Sequence, residues 1–263
     1  MGVESIIVGG HEAWLKGYAE GDSRKLGLGI LDAIARGLQI DALRPPSHPG
    51  GGQAKQIEAR RLAELQAQGV HVPQVIGEGS STLLLSDIGE TFAAQLRAAN
   101  GNPEQIDGLT CKVVDAIVSA HARGAYFGQP LPRNITIDAA GRVGFIDFEE
   151  DPLEVMTLAQ AQARDWLMFA FGMSKYYDGR TGVLADILAR AMQAEPEVAV
   201  HAGRIRRLQG FARKIRWLGR SARHVAHSIL IVHAATLLPV LVVCAVLWDW
   251  LDDGQVELLQ MLF

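Results

Sequence analysis

The pattern of apolar and polar residues predicts a small sheet and two helices in the first third of the chain. Alternation typical of strands occupies residues 5–8, 12–16, 70–75 and 82–86. Apolar residues recur at helical spacing across 23–39 and 53–68, and a loop rich in proline and glycine, 44–52, separates them. The Gly9-Gly10 pair lies between the first two strands and predicts a tight turn.

The middle of the chain has a mainly helical pattern. Helices are predicted at residues 91–99, 104–123 and 159–176. Between the last two helices, strands at 134–137 and 142–148 flank a glycine-bearing turn, which is a hairpin signal. We therefore expect an α+β fold in which a sheet-containing part, 1–88, precedes a helical part, 89–200, and a C-terminal segment, 201–263.

The C-terminal segment has a pattern of its own. Eight arginines and lysines in 204–223 are interleaved with apolar and aromatic residues, as in amphipathic helices that lie on anionic membrane surfaces. Residues 229–248 follow, with His233 and Thr236 as their only polar members, and as a helix they would extend about 30 Å. This arrangement predicts membrane association, and a membrane span is one form that it could take. The alternative to membrane association is a pair of buried helices broken at Pro239.

Composition narrows the class of protein. The formal net charge of −4 over 263 residues does not point to a nucleic-acid partner. The two cysteines, Cys111 and Cys244, form neither a disulfide framework nor a metal-binding spacing, which suits a reducing cytosol. Residues 1–10 lack the basic leader of a signal peptide, so we expect a cytoplasmic protein apart from its membrane contact.

The predicted hairpin carries the first candidate chemistry. Asn134 begins its first strand and Asp147 lies in its second, so the turn brings an amide oxygen and a carboxylate together. Such oxygen ligands suit Mg²⁺, which takes one or two of them from protein and leaves its other positions to water and phosphate. From these residues alone, the alternative is a surface hairpin with an asparagine cap and a solvated acidic patch.

The spacing of this pair resembles that of a known fold. Asp147 stands thirteen residues after Asn134, the preceding helix ends near His121, and Phe148-Glu149 follows directly. The segment resembles the catalytic core of the protein-kinase-like fold, in the branch that includes aminoglycoside phosphotransferases and bacterial lipopolysaccharide-core kinases. The resemblance implies a two-lobed fold that binds ATP and Mg²⁺, with Asn134 and Asp147 as the metal ligands.

The same resemblance implies roles for residues of the first lobe. Lys16 would neutralise the phosphates of the nucleotide, and an acid on the following amphipathic helix, Glu58 or its rival Glu64, would hold it. Gly9 and Gly10 would be a shortened remnant of the glycine-rich loop. From residue type alone, Lys16 could instead be a strand-edge lysine that discourages aggregation, and Glu58 an ordinary surface glutamate.

Two aspartates receive roles in the same way. Asp87 would belong to the hinge between the lobes, 86–89, where main-chain groups contact the adenine edge. Asp165, on the helix predicted at 159–176, would hold the catalytic loop by its backbone N–H groups, because a carboxylate on an apolar helix face requires partners. The alternative for Asp165 is an exposed position beside Arg164.

One position departs from the family pattern. Gln129 stands five residues before Asn134, where the family has the aspartate that accepts the proton of the substrate hydroxyl. A glutamine can orient a hydroxyl, but its amide has no useful basicity.

Three functions stay open. The first is an ATP-dependent phosphotransferase acting on a cell-envelope acceptor, such as a lipopolysaccharide sugar, at the cytoplasmic face of the inner membrane. The second is a membrane-associated pseudokinase that binds nucleotide or a partner protein, and the third is a membrane-anchored helical interaction protein.

Overall fold

The computed structural model describes residues 2–18, 32–33, 35–47, 49–215 and 222–237. This part of the chain is a mixed α+β structure, in which a small antiparallel sheet is followed by a mainly helical portion. The mixed class and the order of sheet before helices, both predicted from the periodicity, are thereby confirmed.

Four strands build the N-terminal sheet. In chain order they are β1 (Gly2–Val8), β2 (His11–Gly17), β3 (Val75–Glu78) and β4 (Thr82–Ser86), and all neighbouring pairs are antiparallel. Val8 pairs with His11, so Gly9 and Gly10 form a two-residue turn whose φ angles of 58° and 84° suit glycine. The order across the sheet is β1-β2-β4-β3. Lys16 therefore lies on a central strand, and its interpretation as a strand-edge lysine is wrong.

Helix α1 (Gly51–Ala67) packs against β4 and ties the sheet to the helical portion. Its buried residues include the apolar side chains of Ala54, Ile57, Leu62 and Leu65. Arg60 donates to Asp151 at 2.6 Å, and Arg61 donates to the carbonyl oxygen of Tyr126, also at 2.6 Å. These polar contacts hold α1 against the loops of the helical portion.

The N-terminal part differs from the predicted pattern in two places. Residues 70–74, which were predicted to be a strand, lie outside the sheet, and β3 begins only at Val75. Val70 and Val72 are buried in the hydrophobic core, so their alternation reflects the packing of a connecting segment rather than strand pairing. Helix α1 begins at Gly51, two residues before its predicted start.

The helical portion contains six α-helices among the described residues of 89–215. They are α2 (Phe92–Ala98), α3 (Pro103–His121), α4 (Leu158–Met173), α5 (Thr181–Gln193), α6 (Pro196–Gly203) and α7 (Gln209–Ile215). Side chains of Thr91, Asn102 and Thr157 accept hydrogen bonds from the first turns of α2, α3 and α4, which explains where these helices begin. Helix α4 lies in the core, where its Trp166 and Phe169 have no exposed surface.

A second, three-stranded sheet lies beside these helices. It consists of β5 (Glu90–Thr91), β6 (Ile135–Ile137) and β7 (Val143–Phe145), in that order and antiparallel. Strands β6 and β7 are the predicted hairpin, with Ile135 paired with Phe145. Both strands are shorter than predicted, because the pairing ends at Phe145 and the following residues turn into the site.

The C-terminal segment is described in part. The predicted basic helix begins with a 3₁₀ turn, Arg204–Leu208, and continues as α7, and residues 216–221 lie outside the described part. Residues 222–237 are helical, and Ile229 and Val232 among them are buried in the core. Within the described residues no helix is both long enough and apolar enough to cross a membrane.

Two sequence predictions fall largely outside the described part. Most of the apolar run 229–248 lies in 238–263, so its membrane span stays a prediction. Of the helix predicted at 23–39, residues 32–33 and 35–37 are helical, and residues 19–31 are not described.

Candidate functional site

Lys16 is the centre of a cluster of three carboxylates. Its side chain is only 7% exposed, and its Nζ lies 2.6 Å and 2.9 Å from the two carboxylate oxygens of Glu58. The same nitrogen lies 2.9 Å from Oδ1 of Asp147 and 3.0 Å from Oε1 of Glu149. One ammonium therefore faces three carboxylates, which leaves this cluster with excess negative charge.

The cluster changes the ionisation of its members. Burial lowers the pKa of Lys16, but the charges of Glu58, Asp147 and Glu149 outweigh burial and raise the pKa above its ordinary value. Burial raises the pKa of Glu149, and the attraction of Lys16 opposes that effect only in part. Lys16 is therefore a permanent positive charge at neutral pH, held in place by acids from separate parts of the chain.

Glu58 is the acid of α1 that reaches Lys16. It is 1% exposed, and its Oε2 also accepts a hydrogen bond of 2.6 Å from the hydroxyl of Tyr18 on the segment that follows β2. The rival Glu64 instead bonds Arg60 and Arg61 on the same helix. The prediction that an acid of this helix pairs with Lys16 is thus met by Glu58, and the interpretation of Glu58 as a surface glutamate is wrong.

The β6–β7 hairpin brings Asn134 and Asp147 to one wall. Asn134 directly precedes β6, and its carbonyl accepts a hydrogen bond of 2.9 Å from the N–H of Ile146 across the ladder. Asp147 follows with a φ of 74°, a left-handed conformation that is uncommon for a residue with a side chain. The side-chain amide nitrogen of Asn134 donates to the carbonyl of Gln129 at 3.0 Å. The amide oxygen of Asn134 is the atom left to act as a ligand.

A run of three acids after Phe148 distributes its side chains in three directions. Glu149 faces Lys16, and Glu150 accepts a hydrogen bond of 2.8 Å from the side chain of Gln129. Asp151 accepts hydrogen bonds from Arg60 at 2.6 Å and from the hydroxyl of Tyr126 at 2.7 Å. Burial raises the pKa of Asp151, but these hydrogen bonds together lower it by more, so that the net shift is downward.

Asp165 holds the loop that precedes Gln129. It has no exposed surface, and its two oxygens accept hydrogen bonds from the N–H of Phe127 at 2.8 Å and from that of Gly128 at 2.6 Å. The same carboxylate contacts Nε2 of His121 at 3.1 Å. The predicted anchoring of this loop by Asp165 matches these contacts, and the alternative of an exposed Asp165 is wrong.

A cavity of about 390 Å³ opens between the N-terminal sheet and the hairpin. Its apolar walls come from Val3, Trp14, Pro73, Leu85, Ile88 and Ile146. Lys16, Glu58, Asn134 and Asp147 line the same cavity, so the charged cluster and the hairpin residues face one space. Its volume lies in the range of small-molecule binding sites.

The predicted hinge forms another side of the cavity. Asp87 lines it, and its carboxylate accepts hydrogen bonds from the indole nitrogen of Trp14 at 2.9 Å and from the N–H of Gly89 at 3.1 Å. Asp87 therefore stiffens the segment through its side chain. Gly9 and Gly10 are not among the described residues that line the cavity, and their contact with phosphate stays a prediction.

The donor set around Lys16 fits a hard cation. Oxygen atoms of Glu58, Asp147 and Glu149 lie within 4.8 Å of one another, and Asn134 offers its amide oxygen on the same cavity wall. Carboxylate and amide oxygens are the ligands that Mg²⁺ prefers. Among the described residues no histidine or cysteine joins this set, so softer transition metals are less well matched.

Sequence reasoning missed two contacts of the site. The sequence pattern assigned no role to Glu149, which pairs with Lys16, or to Glu150, which accepts a hydrogen bond from Gln129. The three consecutive acids were the available signal, but neighbouring residues in an irregular segment point in different directions that no periodicity predicts.

Comparisons with known proteins add no relative. No protein-family model matches the chain, and a search of curated proteins finds no match. Function is therefore inferred from the geometry of the site.

Proposed function

We propose that this chain is an ATP-dependent phosphotransferase with a two-lobed, protein-kinase-like fold, and that it acts on a cell-envelope acceptor such as a lipopolysaccharide sugar. The observation that carries the proposal is the buried Lys16, which pairs with Glu58 from α1 and contacts Asp147 from the hairpin beside a common cavity. A lysine that is held by one acid and reaches a second acid after a hairpin is the arrangement that kinase-like enzymes use at the phosphates.

The cavity supports nucleotide binding in a defined direction. Its apolar walls suit an adenine ring against the segment 86–89, and its charged end at Lys16 and Asp147 suits the phosphates. Once phosphate is present, it would compete with Glu149 for Lys16, because both are anions within reach of the same ammonium.

Asn134, Asp147 and Glu149 are the residues that would hold Mg²⁺, which would neutralise the phosphate charge that this acidic cluster otherwise repels. Lys16 would contact a phosphate oxygen, and Asp165 would keep the loop of Gln129 in place through the N–H groups of Phe127 and Gly128. Catalysis of this kind depends on positioning and electrostatics, which these residues supply.

The envelope location is supported by a basic surface at the start of the C-terminal segment. Arg206, Arg207, Arg213 and Lys214 are exposed there, and Phe211 among them is 56% exposed. An exposed aromatic ring within a basic surface suits contact with an anionic leaflet at the cytoplasmic face of the inner membrane.

Replacing Phe211 by Ser and Lys214 by Glu should reduce co-sedimentation with vesicles that contain anionic lipid, whereas equal binding by the variant would remove this surface from the proposal.

The test of the enzyme is transfer of labelled γ-phosphate from Mg-ATP to isolated envelope fractions. The wild-type protein should label a component, and Asp147→Asn should abolish labelling. Asp115→Asn is the matched control, because it removes the same charge from an exposed position on α3 and should leave labelling unchanged. Labelling that persists in Asp147→Asn would show that this site does not carry out the transfer.

The second candidate is a pseudokinase, and the observation that favours it is Gln129 in place of a carboxylate. The two candidates separate on binding and transfer measured together. A pseudokinase would gain thermal stability from Mg-ATP in the wild type, lose that gain in Asp147→Asn, and transfer no label in either form.

A further inference from the structure

The hydrogen bond between Gln129 and Glu150 has a chemical consequence. Nε2 of Gln129 donates to Oε1 of Glu150 at 2.8 Å, and the backbone carbonyl of Gln129 accepts from the side chain of Asn134 at 3.0 Å. A carboxylate only accepts hydrogen bonds, whereas a glutamine amide has one donating end and one accepting end. Glu150 therefore determines which end of the Gln129 amide is engaged, and the oxygen is the end left for a ligand.

Glu150 is itself held in this position. Burial lowers the pKa of the Arg164 guanidinium, and the negative charge of Glu150, which is only 8% exposed, opposes that effect. Arg164 donates to the carbonyl of Gly128 at 3.1 Å, so the same arginine also contacts the loop that carries Gln129. Arg164 therefore supports the site in two ways, through its charge, which attracts Glu150, and through its hydrogen bond to the loop that carries Gln129.

We propose that Glu150 is a positioning residue, which fixes the Gln129 amide so that its oxygen faces the acceptor hydroxyl. The inference rests on the proposed phosphotransferase function and adds a residue that orients the acceptor. A hydroxyl can donate a hydrogen bond to the amide oxygen of Gln129, whereas the amide N–H groups, turned toward the acceptor, could not accept its proton.

The step that follows needs no base at Gln129. The acceptor oxygen forms a bond to the γ-phosphorus, the bond from that phosphorus to the β–γ bridging oxygen breaks, and its electron pair leaves with ADP. The hydroxyl proton passes to solvent water after the new bond has formed. A loose transition state tolerates this late proton loss, because the attacking oxygen carries little positive charge until the bond is well advanced.

The test compares label transfer to envelope fractions by wild type, Glu150→Gln, Gln129→Glu and the double variant that combines them. Glu150→Gln leaves the amide free to turn, so we expect kcat to fall about tenfold with the KM for Mg-ATP unchanged. Gln129→Glu alone places two carboxylates together and should also be slower than wild type. The double variant restores a carboxylate paired with an amide in reversed order, and it should be faster than either single variant.

Four results separate the possible failures. A double variant no faster than the single variants would overturn the positioning role, as would a Glu150→Gln variant with wild-type kcat. Label that neutral hydroxylamine releases would lie on a carboxylate and overturn the assignment of a hydroxyl acceptor. If the wild type transfers no label but Mg-ATP stabilises it, the phosphotransferase proposal fails, and this inference fails with it. Glu104→Gln, an exposed position in the first turn of α3, is the control for loss of one carboxylate.

Discussion

His121 is the residue through which pH should act most directly on the stability of the candidate site. Its Nε2 lies 3.1 Å from Asp165 and its Nδ1 lies 2.9 Å from Glu195, so both ring nitrogens face carboxylates. Only the imidazolium has a proton on both nitrogens. Burial lowers the pKa of His121, but the hydrogen bonds to Asp165 and Glu195 outweigh burial and raise it to about 9. The rings of Phe127 and Trp166 pack against the histidine and keep water away.

The raised pKa can be converted into a stability change. A rise from about 6.5 in the unfolded chain to about 9 in the folded protein corresponds to about 3 kcal/mol of stabilisation. Because the folded-state pKa is the higher one, this stabilisation is complete below about pH 6.5 and is lost as the pH rises through about 9. Asp165 also holds two loop N–H groups, so the loss should loosen the loop of Gln129.

The assay is denaturant unfolding of the wild type and of His121→Gln at about pH 6 and at about pH 9.5. The glutamine has a donor for only one of the two carboxylates at either pH, so the stability difference between the two proteins should shrink by about 3 kcal/mol at the higher pH. His11→Gln, at an exposed position in the β1–β2 hairpin, is the control and should show little difference at either pH. A wild-type advantage over His121→Gln that stays constant with pH would refute the assigned charge state.

Three further outcomes follow from the geometry. Tyr18→Phe removes the hydroxyl that donates to Glu58 at 2.6 Å, and should lower the free energy of unfolding by about 2 kcal/mol in thermal or denaturant unfolding. Glu149→Gln removes one of the three carboxylates around Lys16 and thereby reduces the repulsion of phosphate. Titration calorimetry without Mg²⁺ should show that this variant binds ADP about tenfold more tightly than the wild type, and an unchanged affinity would argue against repulsion by Glu149. Gly89→Ala should lower the free energy of unfolding by about 2 kcal/mol or more, because φ is 104° and the new Cβ would lie 2.7 Å from the Cα of Asp138. Gly101→Ala is the control and should lower it by less, because φ is 77° there but no atom lies near the new Cβ.

Local patterns were sufficient for most elements of the fold. The alternation in 5–8 and 12–16 and the paired glycines between them predicted the first hairpin, because strand periodicity and turn chemistry act over a few residues. Helical spacing predicted α1, α3 and α4 to within a few residues. The strand prediction for 70–74 was wrong because the alternation there comes from long-range packing. Val70 and Val72 pack into a core that residues distant in sequence build.

Two features of the site could not be read from local patterns. Glu58 and Glu64 lie on one helix, and which of them meets Lys16 depends on the face that α1 turns toward the sheet. The acids at 149 and 150 are adjacent in sequence, yet one contacts Lys16 and the other contacts Gln129.

The sequence by itself determined the mixed class, the order of sheet and helices, and the hairpin that joins Asn134 to Asp147, because these depend on periodicity and short separations along the chain. Only the tertiary structure decided that Lys16 faces three carboxylates and that Glu150 accepts a hydrogen bond from Gln129. Those contacts join residues from β2, α1 and the loops around the hairpin, and their geometry is set by how the sheet, helix and loops pack together.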